Sequence, residues 1–198
     1  MRELFRLFRV RIYRKDAPYL PLLSLAAIAL VVPSCGGPSP EERFAERACS
    51  TTLVRARQML ELHDDVVHTR AAPGPDARAQ MLRFISRGED VTTKLRAELR
   101  ALPVPDTDDG RKGADLLDNF ARLASERLAT EERRVRALPE NITLAQSIGS
   151  LERLELEVVS AFADLTAVVG VIATEVPELA QSFEEAKPCK ELAGLRAD

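Results

Sequence analysis

Residues 144–176 read LAQSIGSLERLELEVVSAFADLTAVVGVIATEV. Leu144, Ile148, Leu151, Val158, Phe162, Leu165, Val169, Ile172 and Val176 follow one another in steps of three, four or seven, and Leu154, Val159, Val168 and Val171 widen the row. That is the period of a helix with one broad apolar face. Thr143, with Gln146 three residues on, makes a capping box at its start. Pro177 ends or kinks it. This helix is expected to be the most buried element of the chain.

Upstream, Ser39-Pro40-Glu41-Glu42 is a helix start, with a capping serine, a proline at the first helical position and a carboxylate at the third. From there to about Arg70, the residues Ala45, Cys49, Thr52, Ala56, Met59, Leu60, His63, Val66 and Val67 lie on one face. Ala72-Pro73-Gly74-Pro75 breaks that helix, and Asp76 is expected to cap a second. Its stripe is Leu82, Ile85, Gly88, Thr92, Leu95, Leu99 and Leu102. Gly88 on an apolar face costs about 1 kcal/mol against alanine, which predicts the close approach of a neighbour. Pro103 and Pro105 end the second helix. A third runs from Asp106–Asp109 to about Leu138, with Leu117, Phe120, Ala124, Leu128 and Val135 inward. Arg127–Glu131 and Glu132–Arg136 are expected to pair on its outer side. After the long fourth helix a shorter one, from about Glu178 to Ala186, leads to Pro188-Cys189. No stretch alternates long enough for a strand, and the helical segments do not repeat one another. Four amphipathic helices joined by short connections predict an all-α, up-down-up-down four-helix bundle with a short C-terminal helical extension.

The amino-terminal residues place that bundle. Six basic residues (Arg2, Arg6, Arg9, Arg11, Arg14, Lys15) precede an apolar, charge-free run from Leu20 to Val32. About thirteen residues is short of the roughly 20 that a spanning helix needs, so the stretch reads as an export signal. Val32-Pro33-Ser34-Cys35 then resembles the lipobox of bacterial lipoproteins, with Pro33 departing from the small or hydroxylated residue usual there. The resemblance covers these four residues and the flanking signal. It implies that residues 1–34 are removed and that Cys35 is acylated as the new first residue. Residues 35–40 then form a tether and 41–198 the helical domain. Gly36, rather than Asp, follows the cysteine, which by analogy with enteric lipoproteins implies an outer membrane if the organism has two. Acylation of Cys35 leaves Cys49 and Cys189, an even pair expected to be oxidised in an exported chain. An up-down-up-down topology brings the start of the first helix and the end of the fourth to one pole, so the fold and this disulfide predict each other.

Composition narrows the partners. The chain carries a formal charge of −3, and the body without Met1–Ser34 carries about −7, which disfavours nucleic acid. The membrane is therefore met through the anchor, and an envelope protein is the expected partner. Both histidines lie in His63-Asp64-Asp65-Val66-Val67-His68, about 140° apart on a helix, so they cannot share a metal from one face. Asp65 and His68 do have the spacing of a bundle di-metal ligand pair, but such sites need a second pair and two further carboxylates. The favoured reading is a boundary His63 and an exposed Asp64–His68 pair. Asp106-Thr107-Asp108-Asp109-Gly110 resembles the opening of a calcium loop but has Gly110 at the fifth position and Leu117 in the place of the bidentate glutamate. Asn141-Ile142-Thr143 reads as a helix cap. With two histidines and no nucleophile or phosphate-loop motif, no cofactor and no catalytic residue are assigned. The expected role is non-catalytic binding or structure in the cell envelope. The alternative is a small apolar ligand, or less favoured a metal or haem, held between helices, which a cavity beside Gly88 or Gly149 lined by Phe84 or Phe162 would favour.

Overall fold

Ser39 accepts a hydrogen bond on its hydroxyl from the Glu42 amide (3.1 Å), while the Glu42 carboxylate accepts from the Ser39 amide (2.6 Å). This reciprocal cap opens α1, Pro40–Ala71, in the computed structural model, which describes residues 37–73 and 76–195. The helices that follow are α2, Ala77–Arg100; α3, Asp108–Arg136; α4, Leu144–Glu175; α5, Pro177–Glu185; and α6, Lys187–Gly194. Among the described residues there is no strand.

Each start has a local cause. Thr107 accepts from the Gly110 amide at 2.8 Å to open α3, and Thr143 with Gln146 forms the capping box of α4. Each such cap satisfies donors that the first turn leaves free and contributes about 1 kcal/mol. Asp76 stands at the N-cap of α2 but makes no side-chain cap bond. Its backbone (φ −97°, ψ 32°) is not extended as a capping residue requires. Pro188, expected to follow the last helix, instead sits in the first turn of α6, where a missing N–H costs nothing.

The helices share one apolar core. From α4 it takes Leu151, Leu154, Val158, Ala161, Phe162, Leu165, Val168 and Ile172; from α1, Phe44, Met59, Leu62 and Val66; from α2, Met81, Ile85 and Leu95; from α3, Leu117, Ala124 and Leu128. Phe162 is 5 % exposed, as its place on the apolar face predicts. Several expected core positions lie at its edge or outside it: Leu60, Leu82 and Leu102 are only partly buried, with Met81 inside in place of Leu82. Leu144 is the first residue of α4 and is 63 % exposed. In α3 the buried row runs through Ala121, and Phe120 is only partly buried beside it.

Gly88 fulfils its expectation. A Cβ there would lie 2.8 Å from Leu128 Cδ1 and 3.1 Å from Leu62 Cδ2, so α2 rests directly on side chains of α3 and α1. Charged pairs fix which parts of neighbouring helices lie together. On α1 and α2, Arg55 meets Glu98 (Nε–Oε2 3.1 Å) and Asp65 meets Arg87 (2.6 Å). On α2 and α3, Arg96 and Arg100 meet Asp118, and Arg78 donates to the Arg136 carbonyl (2.9 Å). On α3 and α4, Arg127 meets Asp164 (2.7 Å) and Lys112 meets Glu175 (3.6 Å). On α1 and α4, Arg70 meets Glu155 (3.1 Å).

The C-terminal helices close one end. Leu179 of α5 fills the space a side chain at Gly113 would need, 2.5 Å from where its Cβ would be. Phe183 packs edge-on against Phe44 with ring centroids 6.1 Å apart. Cys189 of α6 is bonded to Cys49 of α1, with Cα atoms 4.9 Å apart and 140 residues between them in sequence. Closing so long a loop restricts the unfolded chain and contributes up to about 5 kcal/mol in the chain-entropy picture.

Candidate functional site

Cys35, the expected acylation site, lies outside the described residues, as does Gly74 in the first break. The remaining candidates can be followed to their surroundings. Asp65 and His68 do not converge. The Asp65 carboxylate is paired with Arg87 at 2.6 Å across to α2. His68 Nδ1 is 2.7 Å from the backbone carbonyl of Asp64. The expected Asp64–His68 side-chain pair is therefore replaced by a backbone contact, which suits a helical residue four positions on. His63, expected at the boundary, is buried (6 % exposed), with Nδ1 3.4 Å from an Asp64 carboxylate oxygen. Among the described residues no group of three or more histidine, cysteine or acidic side chains stands close enough to hold a metal.

The acidic stretch before α3 is committed within the protein. Asp106 and Asp108 pair with Arg111 at 3.1 and 2.6 Å. Asp109 accepts from the Glu178 amide at 3.1 Å, tying α3 to the start of α5. Gly110 is needed because a Cβ there would be 2.3 Å from the Pro105 carbonyl oxygen. The pattern that resembles a calcium loop is a helix start stapled to its neighbours.

One interior carboxylate escaped sequence reasoning. Glu131 was expected to pair outward with Arg127, yet it is 2 % exposed and bonds Arg134 at 3.0 Å. Arg127 turns instead to Asp164 and Glu157 of α4. These groups form a polar seam between α3 and α4, and oppositely charged neighbours offset the cost of placing Glu131 inside. The only sequence sign was Glu131 falling three residues after Leu128 and four before Val135, on the buried row.

The space beside Gly88 is filled by Leu62 and Leu128, so no ligand fits there. Beside Gly149 there is a cleft of about 310 Å³ between the end of α3 and the first turns of α4. It opens to solvent and is lined by neither Phe84 nor Phe162. At the other end of the chain's helices, Glu41, Glu178 and Glu185 border a polar cleft of about 400 Å³ together with Ser39, Gln181 and Ser182. Among the described residues, α4 alone is long and apolar enough to cross a membrane, with a mean hydropathy of 1.9 over its most apolar 18 residues. Its inward row is the one that α1, α2 and α3 cover. No protein-family model, curated protein or solved structure matches the chain.

Proposed function

We propose that this chain is an exported, lipid-anchored helical bundle that binds a protein partner, or serves structurally, in a cell envelope without catalysis. The observation that carries the reading is the pairing of the cysteines. Cys49 and Cys189 are bonded to one another, a state suited to an oxidising compartment. Two of the chain's three cysteines are thereby used, and the third is Cys35, at the lipobox position. The filled space at Gly88 favours a protein partner over a small ligand between the helices.

The first four helices are read as an up-down-up-down bundle with α5 and α6 as its extension. Supporting this, early residues of α1 pair with late residues of α2 (Arg55–Glu98), and early α3 with late α4 (Lys112–Glu175). The start of α2 likewise meets the end of α3 through Arg78. In that arrangement the pole with Ser39, Asp106 and Cys189 is nearest the anchor, and the connection 137–143 is at the far pole.

Intact mass analysis of the protein from its membrane fraction tests the anchor. The expected result is a chain beginning at Cys35 and carrying acyl groups, with Cys35→Ser either released from the membrane or left unprocessed. A mature protein that retains Met1–Ser34 overturns the reading.

A further inference from the structure

The cleft between α3 and α4 holds polar groups that the fold leaves unused. Arg153, exposed on the third turn of α4, has no ion-pair or hydrogen-bond partner among the described residues, and the Ser150 hydroxyl three residues before it has none either. The neighbouring Arg134 is committed to the buried carboxylate of Glu131 at 3.0 Å. The lining therefore carries one uncompensated positive charge, on a chain that is acidic as a whole.

The same wall is apolar on its other side, where Val135 is buried and Leu138 partly so. Gly149 completes it. The glycines at positions 88, 110 and 113 are each required by a neighbour that a Cβ would strike, whereas a Cβ at Gly149 would meet nothing within 4 Å. A glycine inside a helix costs about 1 kcal/mol against alanine; Gly170, later in α4, also meets nothing within 4 Å, and what sets Gly149 apart is that it borders the cleft. What Gly149 does is leave the cleft open.

An apolar floor, an open glycine and an unpaired guanidinium at the rim match an amphiphile with an anionic head. We propose that this cleft binds an acyl carboxylate of medium length, with the carboxylate on Arg153 and Ser150 and the chain along Leu138 and the surface of Gly149. At about 310 Å³ the cleft is at the small end of ligand sites, which selects a single short acyl chain over a two-chain lipid. The proposal is independent of the anchor and goes beyond the partner-binding role.

A decanoate bearing a diazirine near its tail, photolysed with the full chain in its native fraction, tests this by peptide mass mapping. Label is expected on the peptides covering the end of α3 and the start of α4. Unlabelled decanoate should displace it, and decylamine, with the opposite head charge, should not. Gly149→Leu, which fills the cleft, and Arg153→Glu, which reverses the head contact, should each lower labelling there about tenfold, the loss of one charge-assisted contact. Thermal unfolding controls for folding, and Gly149→Leu should keep or raise the midpoint because it removes a helical glycine. Label spread along the chain, equal displacement by decylamine, or undiminished labelling in either variant overturns the proposal. These outcomes are the same whether the protein is found in membrane or soluble fractions, so the anchor reading fails or stands separately.

Discussion

Asp118 receives four hydrogen bonds from two guanidinium groups, Arg96 at 3.0 and 3.0 Å and Arg100 at 2.9 and 3.0 Å. Arg96 first, and then Arg100, hold its carboxyl at about 2, below its ordinary 3.8, while partial burial opposes them. A carboxyl whose value is depressed by folding contributes stability in full above its unfolded value and loses it as pH falls through the folded one. The contribution should therefore be intact above about pH 4 and fade toward pH 2. With Asp118 about a quarter exposed, the contribution is about 1–2 kcal/mol after allowing for solvent screening. Urea unfolding should find Asp118→Asn less stable by that amount at pH 7, with the gap to the parent closing below pH 3. A gap that persists at pH 2 would mean that the two arginines do not act through the charge. None of this cluster was legible in the sequence, because its members are 18 and 22 residues apart and each alone is an ordinary surface charge. The Gly88 contact was legible, because a glycine inside an apolar stripe needs a reason that a surface arginine does not.

At the scale of elements, α4 carries the clearest test of how far periodicity can be trusted. Phe162→Ala should cost about 3–5 kcal/mol, since the ring is 5 % exposed and its removal loses the transfer energy of a buried ring and leaves a cavity. Leu144→Ala, on the same row in sequence, should cost less than about 0.5 kcal/mol because its side chain is mostly in water. Denaturant midpoints for the two variants check both values, and a loss below 1 kcal/mol for Phe162→Ala would place the apolar face wrongly. The contrast explains what the sequence could tell. Five helices were legible because apolar rows of three- and four-residue steps were bounded by Ser39, Thr143, the acidic start at Asp106–Asp109 and the prolines. Helix α6 was not, because eight residues supply barely two turns of periodicity. Pro188 is also equally suited to follow one helix or to open another. Glu131 and Phe120 were misplaced for a related reason. Spacing gives the direction of a face, but its width depends on how closely α2 and α4 approach α3.

For the whole molecule, the proposed bundle turns the anchor into an orientation. Only about five residues separate Cys35 from α1, a reach of less than roughly 18 Å, whereas α1 itself has 32 residues and is about 48 Å long. In the up-down-up-down reading the far pole then stands clear of the membrane. It carries the exposed connection around Glu140 and the cleft at Gly149. The near pole is closed by α5, α6 and the Cys49–Cys189 bond, and Glu41, Glu178 and Glu185 border its polar cleft. Under the proposed reading, contact with a membrane is made by the anchor. A partner in the envelope space reaches the far pole first. Bulky labels separate the two ends, and Asp106 is a better near-pole site than Thr107, whose hydroxyl caps α3. If the proposed reading holds, a label at Glu140 should lower capture of whichever envelope protein copurifies with the unlabelled chain several-fold, while one at Asp106 leaves it within twofold, with both labelled proteins unfolding at the parental midpoint. Equal loss at both positions, or a Glu140 label shielded by lipid, would reverse the orientation and remove the far pole as the binding end.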